Sequence, residues 1–145
     1  MSHFVVEVET GAPPAVAWAR IWDLDAHTRV IPLTRVALDP PARELGEGAG
    51  FTGRTGMGRL AFDDQMWVLA WSPPTTDEGG RALVEKTGRL VGGRIEVRVD
   101  PLRTGSRIVW RQRLELPWLP VRPLEALAAR LAAPGYRWVL RTLLA

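Results

Sequence analysis

The sequence predicts an α+β fold, in which a seven-stranded, curved antiparallel sheet wraps around a long C-terminal helix. Residues 33–116 form short runs of alternating apolar and polar residues separated by Gly, Pro and Asp, a pattern typical of antiparallel strands. The last 30 residues instead repeat apolar positions at helical spacing. An apolar sheet face must be covered, and only this helix is long enough to cover it.

The N-terminal segment predicts one strand and two short helices. "HFVVEVET" alternates like a strand, and Pro13 and Pro14 suit the first turn of a helix over "AVAWARIW". "DLDAHTRVI" predicts a second helix, with Asp23 or Asp25 as its N-cap and Pro32 as its stop. The two short helices therefore lie between strands 1 and 2.

Six further strands follow as a meander. Each is bounded by turn residues, as in "GMG", "SPPTTDEGG" and "PLRTG". The predicted strands cover residues 33–38, 48–56, 60–71, 81–90, 93–100 and 105–116.

The C-terminal helix carries an apolar stripe that we expect to face the sheet: Leu124, Leu127, Leu131, Gly135 and Trp138. Pro134 lies within this stripe. A proline there removes a backbone hydrogen bond and clashes with the carbonyl of Arg130, which predicts a kink or break near residue 134.

Composition predicts one domain over residues 1–145 and excludes several function classes. The chain is 46% hydrophobic and 24% charged, as expected of a globular domain. Its start has neither a basic segment nor a long apolar run, and no stretch reaches the roughly 20 apolar residues of a membrane span, so we expect a cytoplasmic protein. The net charge of +3 comes from scattered arginines, which argues against nucleic-acid binding.

Metal and nucleophilic chemistry lack the necessary residues. His3 and His27 are the only histidines and the chain has no Cys, so we expect no metal, and nothing in the sequence calls for a cofactor. Ser2, Ser72 and Ser106 lie at the terminus or in turns, outside any nucleophile elbow. The glycines of "GEGAG" and "GRTGMG" lack the following helix that a phosphate loop requires.

Two adjacent carboxylates, in "RLAFDDQMWVLAW", are candidates for chemistry. Neighbouring residues on a strand point to opposite faces, so Asp64 shares the interior side with Met66 while Asp63 faces solvent. If the strands at 60–71 and 81–90 form a hairpin, Lys86 lies opposite Met66 and diagonal to Asp64. The opposite parity for Lys86, and a bulge that turns Asp64 to solvent, remain open.

Gln112 is a third inward polar residue, and it either lines a site or satisfies a backbone group. Asp64, Lys86 and Gln112 are the candidate catalytic residues of a cleft with apolar walls. The predicted ligand-cavity residues are Phe51, Met66, Val68, Val97, Trp110, Gln112, Leu131, Gly135 and Trp138.

The sequence resembles the START-like, SRPBCC superfamily, in its bacterial polyketide cyclase/dehydrase-like branch. "APPAVAWARIWDLDAHTRVIP" is similar to the entry motif of that superfamily, with Pro14, Trp18, Asp23 and Pro32 in register. "LGEGAGF", "MWVLAWSPP", "KTGRLVGG" and "TGSRIVWRQRLELP" are similar to its later strands and turns. Val30 departs from the pattern, because an aromatic residue often precedes the proline there. The resemblance implies the helix-grip fold and a cavity for a hydrophobic ligand.

Three functions are therefore considered. The first is binding of a small hydrophobic or aromatic molecule, polyketide-, quinone- or lipid-like, between helix and sheet. The second is a polyketide aromatase/cyclase or dehydratase in which Asp64 or Lys86 moves a proton and Gln112 polarises a carbonyl. The third is a protein-interaction module, because Trp67, Leu69 and Val109 share the outer face and could form a homodimer contact.

Overall fold

Seven antiparallel strands form a single sheet in the order β1-β7-β6-β5-β4-β3-β2. A computed structural model describes residues 2–119 and 122–145, without the side chains of 122 and 125. The strands are β1 (Ser2–Thr10), β2 (Thr34–Leu38), β3 (Gly50–Met57), β4 (Leu60–Ser72), β5 (Gly80–Thr87), β6 (Gly92–Pro101) and β7 (Ser106–Glu115). The helices are α1 (Pro14–Ile21), α2 (Leu24–Val30) and α3 (Arg122–Leu144). The predicted fold class and element order are confirmed.

The two short helices begin as the sequence indicates. Pro14 is the first residue of α1, where its missing N–H has no intrahelical partner to lose. The Asp23 side chain caps α2 by accepting a hydrogen bond of 3.1 Å from the Ala26 N–H. Thr28 then ties α2 to β2, since its hydroxyl oxygen accepts from the Val36 N–H at 2.9 Å.

The hairpin of β4 and β5 has the predicted register over its first half. Met66 lies opposite Lys86, and Val68 opposite Val84. The register then shifts between Val68 and Ala70, where Leu69 is the extra residue of a bulge. Because of this shift Trp71 packs against Trp18 and Trp22 of the core, at ring-centroid distances of 4.9 Å and 5.1 Å.

Helix α3 is continuous through Pro134, so of the predicted kink or break the break is wrong. Pro134 and Arg130 both lie on the exposed side of the helix. The carbonyl that Pro134 leaves without an N–H partner is therefore on the side open to water, which reduces the cost of the missing bond.

The prediction that the stripe of Leu131, Gly135 and Trp138 faces the sheet is also wrong. Leu131 is 70% exposed and Trp138 is 54% exposed. The side of α3 that packs against the core instead consists of alanines, one tyrosine and the C-terminal leucines: Ala128, Ala129, Ala132, Ala133, Tyr136, Leu140 and Leu144. Alanines allow α3 to pack closely over β1, its main contact in the sheet.

Contacts of α3 with α1 and α2 close one end of the structure. Arg20 of α1 donates a hydrogen bond of 3.0 Å to the backbone carbonyl of Leu144. Since α3 lies over β1 and β7 rather than over the middle of the sheet, space remains beside it, above β3, β4 and β5. In the described part of the chain even α3 lacks the apolar length that a bilayer crossing needs.

Candidate functional site

A cavity of about 330 Å³ lies between α3, α2 and the concave face of the sheet. Of the 21 residues that line it, 14 are apolar, aromatic or glycine and seven have polar side chains. Apolar residues of the wall include Phe4, Trp22, Leu24, Ile31, Val36, Phe51, Phe62, Met66, Val91, Ile95, Trp110 and Leu114. Polar residues of the wall are His27, Thr34, Thr55, Asp64, Lys86, Gln112 and Tyr136.

Asp64 and Lys86 form an ion pair in the wall of this cavity. Lys86 Nζ contacts Asp64 Oδ2, and the two side chains are 2% and 19% exposed. The pair follows from the hairpin, because the register that puts Lys86 opposite Met66 brings it diagonally to Asp64. The structure therefore places both side chains on the interior face, and the alternatives of an outward Lys86 and a bulge at Asp64 are wrong.

Glycines lie opposite both residues of this ion pair on the neighbouring strands. Gly53 lies opposite Asp64 on β3 and lines the cavity, so the wall there has no side chain. Gly93 lies opposite Lys86 on β6 with a φ of +123°, and a Cβ there would be 1.8 Å from the backbone oxygen of Arg113. Only glycine fits at position 93 without a local rearrangement.

Lys86 keeps its proton despite being buried. Desolvation lowers its pKa, but the electrostatic interactions with Tyr136 and Asp64, together with the hydrogen bond to Asp64, outweigh burial and raise the pKa above its ordinary value. Lys86 is therefore an ammonium group at neutral pH. Such a group can donate hydrogen bonds and stabilise negative charge, but it is a poor general base.

Gln112 is buried beside the aromatic wall. Its side-chain carbonyl oxygen accepts a hydrogen bond of 3.0 Å from the indole N–H of Trp110. An indole N–H can only donate, so this contact fixes the orientation of the Gln112 amide. Gln112 is also one of the residues that line the cavity.

His27, which the sequence prediction considered only as a metal ligand, is part of the wall. Its Nε2 lies 2.7 Å from the backbone oxygen of Ile21, so this nitrogen carries the proton and donates. Burial lowers the pKa of His27, and the Ile21 carbonyl and Asp23 offset this only in part. The imidazole is neutral at neutral pH. Among the described residues, no three His, Asp or Glu side chains cluster as metal ligands.

The structure brings together part of the predicted cavity. Phe51, Met66, Trp110 and Gln112 line it, together with Asp64 and Lys86. Val68 and Val97 are buried in the core and are not among the residues that line the cavity. Leu131, Gly135 and Trp138 lie outside it on the exposed side of α3.

Sequence reasoning also missed Tyr136, whereas it placed Trp22 in the core or the cavity wall. Tyr136 stacks near Trp110 and Phe4, at centroid distances of 5.4 Å and 5.3 Å, and places α3 against the cavity. Trp22, at the C-terminal end of α1, stacks on Trp110 at a centroid distance of 6.3 Å and so extends the aromatic wall to α1. On the outer face Trp67 is 49% exposed and Leu69 is 37% exposed, and their role in a homodimer stays a prediction.

Known structures share the fold. No family model matches the sequence, and no curated protein matches it. Ara h 8.0201 superposes with a TM-score of 0.72 at 11% identity, over 98% of this chain and 96% of that one. TTHA0849 from Thermus thermophilus superposes with a TM-score of 0.72 at 17% identity, over 97% of this chain and 93% of that one. The Zhui aromatase/cyclase from Streptomyces sp. R1128 superposes with a TM-score of 0.66 at 17% identity, over 98% of this chain and 90% of that one. The resemblance to START-like, SRPBCC-type proteins is thus confirmed at the level of the helix-grip fold.

Proposed function

We propose that this protein binds a small hydrophobic or aromatic molecule, of polyketide, quinone or lipid type, in the cavity between α3 and the sheet. One observation carries the proposal: a cavity of about 330 Å³ has mainly apolar and aromatic walls, with polar side chains in the minority. Small-molecule sites are typically about 300–1,000 Å³ and have this mixture of lining residues.

The walls are formed by elements of different kinds. Phe51 and Met66 come from neighbouring strands, Trp22 from the end of α1 and Tyr136 from α3. Flat aromatic side chains on several sides favour a ligand that is itself partly flat, because such rings pack face to face or edge to face. The Zhui protein, which shares the fold, is named as an aromatase/cyclase, and this name is consistent with a site of that shape.

A second candidate function is catalysis, as a polyketide aromatase/cyclase or dehydratase. The observation that favours it is the ion pair of Lys86 and Asp64 inside an otherwise apolar wall. In such a reaction Lys86 would stabilise a developing enolate, Asp64 or the neutral His27 would accept a proton, and the Gln112 amide would polarise a carbonyl. The substitution Asp64→Asn should then abolish turnover of a poly-β-ketone substrate while ligand binding persists.

The binding proposal is tested by filling the cavity. A Cβ at Gly53 would lie 3.9 Å from both Met66 and Val36, so a side chain is accepted there and projects into the cavity. We expect Gly53→Leu to fold and to lose most ligand affinity. The matched control is Gly135→Leu, at a position with nothing within 4 Å on the exposed side of α3.

Binding is measured by quenching of tryptophan fluorescence, since Trp22 and Trp110 line the cavity. The panel holds polyketide-like aromatics, quinones and fatty acids, and native mass spectrometry of the purified protein searches for a co-purified ligand. The proposal expects at least one class to bind wild type and Gly135→Leu equally and Gly53→Leu at least tenfold more weakly. Equal binding by all three proteins would refute the cavity as the site.

A further inference from the structure

Large apolar side chains are exposed at one end of the sheet. This end carries the rim loops, residues 31–33, 58–59 and 88–91, and the chain that follows β7. Leu60, at the tip of the β3–β4 hairpin, is 89% exposed. It belongs to a group of exposed residues that we call the apolar rim: Leu33, Met57, Leu60, Phe62, Leu90 and Trp118. Among the described residues, no large apolar side chain is exposed in the opposite loops, which are 39–49, 73–79 and 102–105.

The residues of the apolar rim are neighbours in the fold. Met57 lies opposite Leu60 in the β3–β4 hairpin, and Leu33 is bonded to the end of β3 through its carbonyl oxygen. The indole N–H of Trp118 donates a hydrogen bond of 2.8 Å to the backbone oxygen of Leu90. The β3–β4 and β5–β6 hairpins lie side by side, because β4 pairs with β5. The rim is therefore one surface, and exposed apolar patches of this kind mark interaction sites.

The cavity opens within this rim. Phe62 belongs to the rim and also lines the cavity. Thr55 and Val91, which line the cavity from the same two hairpins, are partly exposed, whereas the lining residues Trp22 and Trp110 are buried. The exposed apolar surface therefore adjoins the opening of the cavity.

Charge differs between the two ends of the sheet. The rim loops contain Arg59 and Arg89 and no Asp or Glu. Arg29 and Arg35, which flank the first of these loops, are exposed as well. The opposite loops contain five acids and two arginines: Asp39, Glu44, Glu47, Asp77, Glu78, Arg43 and Arg103. The net charge of +3 is thus unevenly distributed, with a positive rim and a negative opposite end.

We propose that the apolar rim docks on the surface of an anionic phospholipid bilayer, with the opening of the cavity facing the membrane. Leucines and a tryptophan enter the boundary between headgroups and acyl chains, and the arginines beside them contact lipid phosphates. The acids of the opposite end face away from the negative surface. A soluble acidic protein would also attract the arginines, but it would leave Leu60 on its projecting hairpin tip without an apolar environment. The inference goes beyond the proposed function, because docking requires no ligand in the cavity.

The test is cosedimentation of the purified protein with two kinds of vesicle. Neutral vesicles contain phosphatidylcholine alone, and anionic vesicles contain phosphatidylcholine and phosphatidylglycerol in equal parts. We expect at least tenfold tighter binding to the anionic vesicles, since four exposed arginines lie at the rim. This advantage should shrink as the salt concentration rises toward about 1 M.

Two double variants locate the docking surface. Arg59→Glu combined with Arg89→Glu reverses the charge of the rim loops. Arg43→Glu combined with Arg103→Glu is the matched control, because it changes the net charge equally at the opposite end. All four arginines are exposed, so both variants should fold. We expect the rim variant to bind anionic vesicles at least tenfold more weakly than wild type, and the control to stay within about threefold.

A substitution of one leucine tests the apolar contact. Leu60→Ser should weaken binding to anionic vesicles at least fivefold, because it removes a side chain that enters the bilayer. Leu131→Ser is the matched control, since Leu131 is an exposed leucine on the outer side of α3, and it should bind like wild type. If Leu60→Ser also binds like wild type, the attraction is purely electrostatic. The partner is then a soluble acidic molecule, and the assignment to a bilayer is overturned.

The remaining outcomes separate docking from ligand binding. If wild type binds neither kind of vesicle, or both equally, the inference is overturned, as it is if the two double variants lose affinity equally. Gly53→Leu fills the cavity and leaves the rim intact, so it should bind anionic vesicles like wild type. A protein that binds an apolar ligand but no vesicles refutes the docking surface and supports the proposed function. A protein that binds vesicles but no apolar ligand does the reverse.

Discussion

Asp63 and Asp64 are adjacent in the chain, and they lie in opposite environments. Asp63 forms an ion pair of 3.0 Å with Arg54 in which the side chains are 44% and 59% exposed. Asp64 pairs with Lys86 inside the cavity wall, where the exposed fractions are 19% and 2%. Both pairs join a carboxylate of β4 to a positively charged side chain on a neighbouring strand.

The comparison shows that burial, rather than the presence of an ion pair, decides what a charge contributes. Water screens the outer pair, and exposed pairs typically contribute about 0–1 kcal/mol. The inner pair has lost most of its hydration, so each charge depends on the other. A buried ion pair is by itself weak evidence for stability, because the cost of removing both charges from water offsets much of their attraction.

The largest expected effect is that of removing one charge of the inner pair. Lys86→Met leaves the mostly buried Asp64 carboxylate without its cation and should lower the free energy of unfolding by about 3 kcal/mol. Arg54→Met, its counterpart on the outer face, should lower it by less than about 1 kcal/mol. Urea unfolding measures both. Equal losses would contradict the distinction between the two pairs.

A second pair of neighbours extends the comparison to an uncharged polar group. Gln112→Leu leaves the buried indole N–H of Trp110 without its acceptor and should cost about 1–3 kcal/mol. Arg111→Leu alters the exposed neighbour on the same strand and should change stability by less than about 0.5 kcal/mol. Urea unfolding again measures the change, as a shift of the midpoint while the dependence of the free energy of unfolding on urea concentration stays the same. If Gln112→Leu leaves the free energy of unfolding unchanged, the hydrogen bond between Trp110 and Gln112 contributes nothing to stability.

The smallest expected effect concerns the pH dependence of stability. Burial lowers the pKa of His27, so below its ordinary value of 6.5 the unfolded chain takes up a proton before the folded one does. Stability should therefore fall as the pH decreases from about 6.5 through the folded-state pKa. His27→Gln should remove this part of the slope, and His3→Gln, at an exposed position of β1, should retain it. An unchanged slope in His27→Gln would assign the dependence to other groups.

The fold and the inner ion pair were predictable because antiparallel strands obey a strict alternation. One correct register, Met66 opposite Lys86, was enough to place Asp64 beside Lys86. The same argument assigned Phe51, Trp110 and Gln112 to the interior. Alternation failed only beyond the bulge at Leu69, which moved Trp71 into the core.

The face of α3 could not be predicted in the same way, because the helix is apolar on two sides. Leu124, Leu127, Leu131 and Trp138 lie on the outer side, while alanines, Tyr136 and the C-terminal leucines lie on the inner side. Hydrophobicity alone favours the larger residues, whereas close packing over β1 requires the smaller ones. His27 and Tyr136 were missed because no motif marks them. Their position depends on how α2 and α3 meet the sheet.

The most direct test of the account is the location of a bound ligand. A crystal structure with a brominated β-naphthol, read from the anomalous signal of bromine, identifies the site without reference to affinity. The account predicts bromine inside the cavity, among the aromatic residues of its wall. Bromine on the exposed side of α3, beside Leu127 and Leu131, with an empty cavity would contradict it.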